Sequence, residues 1–323
     1  MRAMAACALL GWQLGASAQP APFNEWLEAL KAEAMASGIS RTTVETALSD
    51  VQPEDRVIER DRNQPESRLE FWTYADRVVS EYRIEEGRRL LEEHRELFQD
   101  VARRYGIPAH VLVATWAIES NFGRIQGNFP VIRSLVTLAY DGRRAIFFRG
   151  ELLNALRILD AGHIDFQDMN GSWAGAMGQV QFMPSTFVDY ARDGDGDGRM
   201  DIWRSTADAI ESAANYMGSA WRPGYIWGRQ VRVPSGFDTA LAGLDTRKPL
   251  AEWESLGVRR ANGTGLPTAD ITGSIVLPTE ATEPAFLVYD NYRAIMRWNR
   301  SHLFAISLGH LADRIAGKRP LQR

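Results

Sequence analysis

Apolar residues recur at three-and-four spacing through Phe23–Ala36 and Arg68–Arg104, with charges filling the positions between them. That is the periodicity of helices that bury one face. Tyr105-Gly106-Ile107-Pro108 closes the second stretch and starts a new helix. Ala109–Ser120, reading AHVLVATWAIES, is apolar almost all round and predicts a helix enclosed inside a domain. Arg144–Leu159 and Ser205–Met217 read as further amphipathic helices. Over residues 222–289 Gly, Pro and Thr become frequent, and short β-prone runs appear at Gln230–Val233, Ser274–Leu277 and Ala285–Val288. Helix returns at Asn291–Asn299 and Ser301–Ile315. The expected fold is mainly α, of α+β type. A helical region fills 19–221, a small strand-rich insertion fills 222–289, and C-terminal helices over 290–323 pack back on the core.

The 323 residues suffice for one large domain or two to three packed subdomains. A net charge of −4 offers no basic face of the kind that nucleic-acid binders carry, so no nucleic-acid partner is expected. Ten Trp are a generous number; aromatic rings can stack on sugar faces, although most serve as large core residues. Residues 1–18 place Arg2 before the apolar stretch Ala3–Leu14 and end in Ala16-Ser17-Ala18, the layout of a signal peptide cleaved before Gln19. The stretch is too short to span a bilayer. Cys7, the only cysteine, sits inside it, with the apolar run mostly behind it rather than ahead as a lipobox needs. The mature chain is therefore expected to be exported and soluble, with no thiol, disulfide or transmembrane segment.

Glu119 lies near the carboxyl end of the apolar helix, just before the natural stop Asn121-Phe122-Gly123. The negative end of the helix dipole opposes its ionisation by roughly 0.3–1 kcal/mol, and burial beside Trp116 and Ile118 opposes it further. A carboxyl group with a raised pKa suits a general acid working near neutrality. A glutamate reaching to solvent or pairing with an arginine is the competing structural reading. Asp193-Gly194-Asp195-Gly196-Asp197-Gly198 sets three carboxylates at alternating positions with glycine at the sixth, the first half of an EF-hand calcium loop. Arg199 would give its backbone carbonyl at position 7, and Asp201, at position 9, would bind directly or through water. Position 12, normally a bidentate Glu, is Arg204. Three carboxylates this close repel one another without a cation. The flanking segments Ser185–Ala191 and Ser205–Met217 read as helices, so the Ca²⁺ is expected as a structural staple.

Trp116-Ala117-Ile118-Glu119-Ser120-Asn121-Phe122-Gly123 resembles the E-S-x-[FY]-G motif of lysozyme-like lytic transglycosylases. Gly175-Ala176-Met177-Gly178-Gln179-Val180-Gln181-Phe182-Met183-Pro184-Ser185 resembles their G-A-x-G-x-x-Q-F-M-P-S segment. With the acidic loop, these motifs are similar to the lytic murein transglycosylase B family over roughly Asn24 to Ala316. The resemblance implies a lysozyme-like helical core with additional helices. It also implies a periplasmic enzyme that cleaves the bond between N-acetylmuramic acid and N-acetylglucosamine in peptidoglycan. Glu119 would protonate the glycosidic oxygen and then act as base toward the muramic acid C6 hydroxyl, giving a 1,6-anhydro end without water. Most glycosidases need two carboxylates, and neither motif offers a second.

Carried over residue by residue, the resemblance puts Ser172, Gln181, Phe182, Tyr216, Trp298 and Asn299 in the glycan cleft, and Asp208 among the calcium ligands. Gln181 and Asn299 would donate and accept toward acetamido and hydroxyl groups, while Phe182 and Tyr216 would offer flat faces to sugar rings. The family usually shows Tyr where this chain has Trp298, so a hydrogen bond made by that phenol does not carry over. Arg143 and Arg144, in Tyr140-Asp141-Gly142-Arg143-Arg144, are placed either near the wall's carboxylates or in structural ion pairs. Peptidoglycan strands are the expected partner, with cell-wall synthases left open. The rival readings are a hydrolase (muramidase) on the same scaffold and a non-catalytic wall-binding protein.

Overall fold

The structure is a computed structural model and describes residues 22–63, 70–279 and 283–323. The expected signal segment with Cys7, and the first two residues of the Arg68–Arg104 stretch, lie outside the described residues. Helix α1 (Phe23–Ala36) has the expected bounds. The long stretch that follows is not one helix. It divides into α4 (Phe71–Val78), α5 (Glu81–Glu93) and α6 (Arg95–Tyr105). The first break falls at Ser80, whose hydroxyl accepts the Arg83 N–H and so caps α5. The second falls at His94, which serves as the C-cap of one helix and the N-cap of the next. Continuous amphipathic periodicity hid both breaks, because the three helices turn their apolar faces to one core. Ile84, Leu90, Phe98 and Val101 are all buried there.

Two helices between α1 and α4, α2 (Arg41–Leu48) and α3 (Asp55–Arg62), were not expected from the pattern. Each has only eight residues, too few to display a clear period. Helix α7 (Ala109–Ser120) has the expected bounds and is buried along nearly its whole length. It packs against α5, α6 and α14 (His302–Ile315). Its end is abrupt: Asn121, Phe122 and Gly123 take φ of +50°, +60° and +80° in succession. For Phe122 the left-handed region is costly, and its ring is held by an edge-to-face contact with Trp116 at 5.6 Å.

Beyond α7 come α8 (Val131–Asp141) and α9 (Ala145–Asp160), packed closely together. A two-stranded antiparallel ribbon, β1 (Phe129–Pro130) with β2 (Asn170–Gly171), brackets this pair. Gly127 is required beside it, because a Cβ there would meet the Gly171 carbonyl oxygen at 2.0 Å. Helices α10 (Pro184–Tyr190) and α11 (Thr206–Gly218) flank the acidic loop. The β-prone runs become β3 (Gly228–Arg232), β6 (Thr272–Val276) and β7 (Ala285–Val288). With β4 (Lys248–Pro249) and β5 (Arg259–Arg260) they form an antiparallel sheet ordered β4-β6-β7-β3-β5. Helix α12 (Leu250–Ser255) covers it, burying Trp253 against Ile275 and Leu287. Helix α13 (Asp290–Trp298) then leads from the sheet back into the helical body.

Three apolar clusters result: one around α1, α2, α8 and α9, one around α4–α7 and α14, and one in the sheet. Trp298 packs against both helical clusters, which marks the seam between them.

Candidate active site

Glu119 sits on the last turn of α7, next to the seam. The residue keeps partial exposure. Burial nevertheless pushes its carboxyl group up to about 7 from an ordinary value of 4.5, and the one opposing influence is a hydrogen bond from Trp298. No second carboxylate and no cation among the described residues enters that balance. The indole N–H of Trp298 donates to Glu119 Oε1 at 2.8 Å. The resemblance carried no hydrogen bond to this position. The structure supplies one through a different group, from a residue 179 positions away in the sequence.

The turn after α7 is tied to the Gly175–Ser185 segment by a buried network. Ser120 Oγ donates to the Gln179 carbonyl oxygen at 2.5 Å and accepts the Gly123 N–H. Gln179 Oε1 accepts the Trp116 indole N–H at 2.9 Å, and the Gln179 backbone N–H donates to the Ile202 carbonyl. Gln179 is 4% exposed. It was not among the expected site residues; a buried amide among Met177, Val180 and Phe182 is the signal that could have pointed to it. Because each of these polar groups is enclosed, leaving one unpaired costs about 1–3 kcal/mol, which keeps the turn after α7 in one arrangement.

Of the expected cleft residues, the structure brings Phe182, Tyr216 and Trp298 together at this seam. Phe182 is only 2% exposed, wedged against Tyr216 at 5.8 Å and Trp298 at 5.4 Å. It supports the cleft and offers no open face, which corrects the expectation of a sugar-stacking ring. Tyr216, on α11, is partly exposed and donates its hydroxyl to the Arg297 carbonyl at 2.8 Å. Gln181 has a left-handed backbone, φ +50°, and its NH₂ donates to the Gln126 and Gly178 carbonyls. Its side-chain oxygen is therefore left as the functional group, so it accepts but does not donate. Ser172 Oγ accepts the Ala174 and Ala176 N–H groups, which leaves its proton available. Asn299 is exposed at the end of α13, with Oδ1 accepting the Ser301 N–H. Arg143 and Arg144 both ion-pair with the buried Asp61, and are structural.

The acidic loop gathers Asp193, Asp195 and Asp197, which offer carboxylate oxygens within 4.8 Å of one another. Hard oxygen donors at such spacing suit a divalent cation such as Ca²⁺. Gly196 and Gly198 turn with φ +78° and +90°, and Arg199 follows in the same turn. Asp201 lies outside that group of three; its Oδ1 accepts the Trp203 and Arg204 N–H groups and its Oδ2 faces the Arg204 guanidinium. Asp208 does not join them either. Fully buried, it accepts the Gly194 N–H at 2.8 Å and the Asp201 N–H at 2.6 Å. It ties the loop to α11 through backbone amides.

The transglycosylase SLT domain model matches residues 22–313. The chain belongs to the transglycosylase SLT family. SltB3 from Pseudomonas aeruginosa, solved with NAG-anhNAM-pentapeptide, superposes with a TM-score of 0.89 at 44% identity, covering 94% of this chain and 82% of its own. SltB1 from the same organism gives 0.80 at 29% identity, over 90% of this chain and 98% of its own. The membrane-bound lytic murein transglycosylase B of Escherichia coli K12 is 28% identical over 306 residues, 86% of this chain and 79% of its own. The Escherichia coli Slt35 structure, 24% identical with a TM-score of 0.77, shares the fold and contains calcium. This transglycosylase is thus a peptidoglycan lytic enzyme with the lysozyme-like helical core that its motifs implied. No described helix is long and apolar enough to cross a membrane.

The raised Glu119 pKa carries a stability cost of known sign. Below about pH 4.5 the carboxyl is neutral in folded and unfolded chains alike. Between 4.5 and 7 the unfolded chain ionises while the folded site resists, so stability falls as pH rises, and above 7 the loss is complete. Glu119→Gln should therefore stabilise the enzyme at pH 8 by on the order of 1–3 kcal/mol and have little effect at pH 4.5. Thermal unfolding at both pH values checks this; a melting difference that does not change with pH would contradict it.

Proposed function

We propose that Glu119 is the sole acid/base of the lytic cleavage, and that the enzyme works on peptidoglycan in the periplasm after removal of its signal peptide. The observation that carries the reading is one enclosed carboxyl group, neutral up to about pH 7, with an indole as its hydrogen-bond partner. A neutral carboxyl at working pH can protonate the glycosidic oxygen as the C1–O bond breaks. The resulting carboxylate then takes the proton of the muramic acid C6 hydroxyl as its oxygen closes onto C1. A second carboxylate, needed elsewhere to activate water or to trap the sugar, is offered by neither motif. The cation-like sugar is stabilised by neighbouring dipoles or by its own 2-acetamido group.

The remaining cleft residues have parts that follow from their free groups. Ser172 can donate to an acetamido or hydroxyl oxygen and Gln181 can accept. Asn299 has an NH₂ to donate, and the partly exposed Tyr216 ring lies 5.3 Å from that of Trp298. Asp193, Asp195 and Asp197 would hold Ca²⁺, with Arg199 supplying a carbonyl, and the ion would stiffen the loop that leads into Trp203 and the Gln179 network. Asp208 and Asp201 shape that loop through their amide contacts.

Two outcomes test this reading. Glu119→Gln should lose about 10²–10⁴-fold in release of fragments from purified sacculi while remaining folded. Fragments from the unaltered enzyme should carry 1,6-anhydromuramic ends, and strands O-acetylated at C6 should resist. Near-normal release by the variant, measured by mass spectrometry of the soluble products, would sink the assignment. For the loop, calcium should raise the melting temperature over EDTA-treated enzyme, since a ligand at a hundredfold excess over Kd contributes roughly 2.7 kcal/mol. Asp195→Ala should abolish the difference, and a melting curve indifferent to calcium would rule the ion out.

A further inference from the structure

We propose that Trp298 is a positioning residue that fixes which oxygen of Glu119 carries the proton, so that a single oxygen, Oε2, both gives and takes it. The inference rests on Glu119 being the acid/base. An indole N–H is a donor with no acceptor capacity. With it 2.8 Å from Oε1, a proton on that same oxygen would set O–H against N–H. The neutral carboxyl must therefore hold its proton on Oε2. After transfer to the glycosidic oxygen, Oε2 is the bare anionic oxygen, and it collects the C6 hydroxyl proton. The carboxyl group need not rotate between the two half-steps, and the Glu119 proton count is the same at the end as at the start.

The donor is itself held in place. The Trp298 ring stands against Phe182 at 5.4 Å and Tyr216 at 5.3 Å. Tyr216 in turn is fixed by its bond to the carbonyl of Arg297, the residue before Trp298. This gives the buried Phe182 a purpose that its lack of an open face otherwise leaves unexplained. Several charged groups on the surrounding helices are engaged elsewhere, while Arg300, close enough to act on Tyr216, stands beyond the end of α13. On α5, Glu86 pairs with Arg89 and Arg124. Glu211 of α11 pairs with Arg104 of α6, and Asp208 of α11 is held by amides. On α14, His302 bonds to Tyr292 and Asp313 to Lys318, while His310, next to Asp313, has its imidazole pushed down to about 4 and stays neutral. Arg297 on α13 lies over the Tyr216 ring. None of them offers Glu119 a substitute donor.

The test replaces Trp298 by 3-benzothienylalanine, which keeps the ring shape and removes the N–H, alongside Trp298→Phe and Trp298→Tyr. Glu119 is titrated by carbon NMR in the full enzyme labelled at glutamate side-chain carboxyls, with Glu119→Gln to assign the signal. Loss of the donor removes a bond to the charged form, so the midpoint should rise by about one pH unit, and the alkaline limb of kcat/KM should rise with it. The kcat should fall roughly tenfold with KM little changed, and Trp298→Tyr, which can still donate, should recover part of both effects. A purely structural loss would let water reach the carboxyl and move the midpoint down. A midpoint that stays put or falls with benzothienylalanine overturns the proposal, even should Trp298→Phe fail to fold. Full activity in Glu119→Gln would instead overturn the acid/base reading beneath it.

Discussion

A carboxyl group confined at the end of an apolar helix is the constraint to which the rest of the site responds. Left in water, Glu119 would ionise well below neutrality and could not deliver a proton. Enclosure at the seam of two helical clusters moves its titration to about 7, at a cost in folding stability. That cost is borne by the close packing of α7, which buries Val111 through Ala117 without interruption. A looser helix end would let water in and return the group to its ordinary range.

Several features that look unrelated serve this confinement. The left-handed run Asn121-Phe122-Gly123 stops α7 one residue after Glu119, so that its carboxyl lies at the helix end. Ser120 and Gln179 then lock the turn to the segment that carries Phe182, and Phe182 backs Trp298 and Tyr216. The backbone N–H of Gln179 reaches Ile202, so the same network ends at the exit of the acidic loop. A cation at Asp193, Asp195 and Asp197 would thus act on this site through packing and hydrogen bonds.

The helix bearing the acid was legible in sequence to the residue, because an all-round apolar run and a three-residue stop leave little freedom. Strands β3, β6 and β7 were legible within two residues from their β-branched runs between Gly and Pro, whereas β1, β2, β4 and β5, of two residues each, were too short to show. Helices α2 and α3 were not, since eight residues show too little period, and the breaks at Ser80 and His94 were masked by a shared apolar face. In the site, the motifs pointed to Glu119 and the acidic trio directly. The hydrogen bond from Trp298 could not be read, because it joins α7 to α13 through tertiary packing alone. Motif comparison named Phe182 but could not tell an exposed ring from a buried one.

The central claim is that one carboxyl group does the work of two, with the substrate's own hydroxyl in place of water. Digestion of sacculi in ¹⁸O-enriched water decides it most directly, read by mass spectrometry of the new muramic ends. Ends free of label are expected, since no solvent oxygen enters the product. Label at the new end of most fragments would contradict the claim and would mean that a second group, not Glu119 alone, activates water.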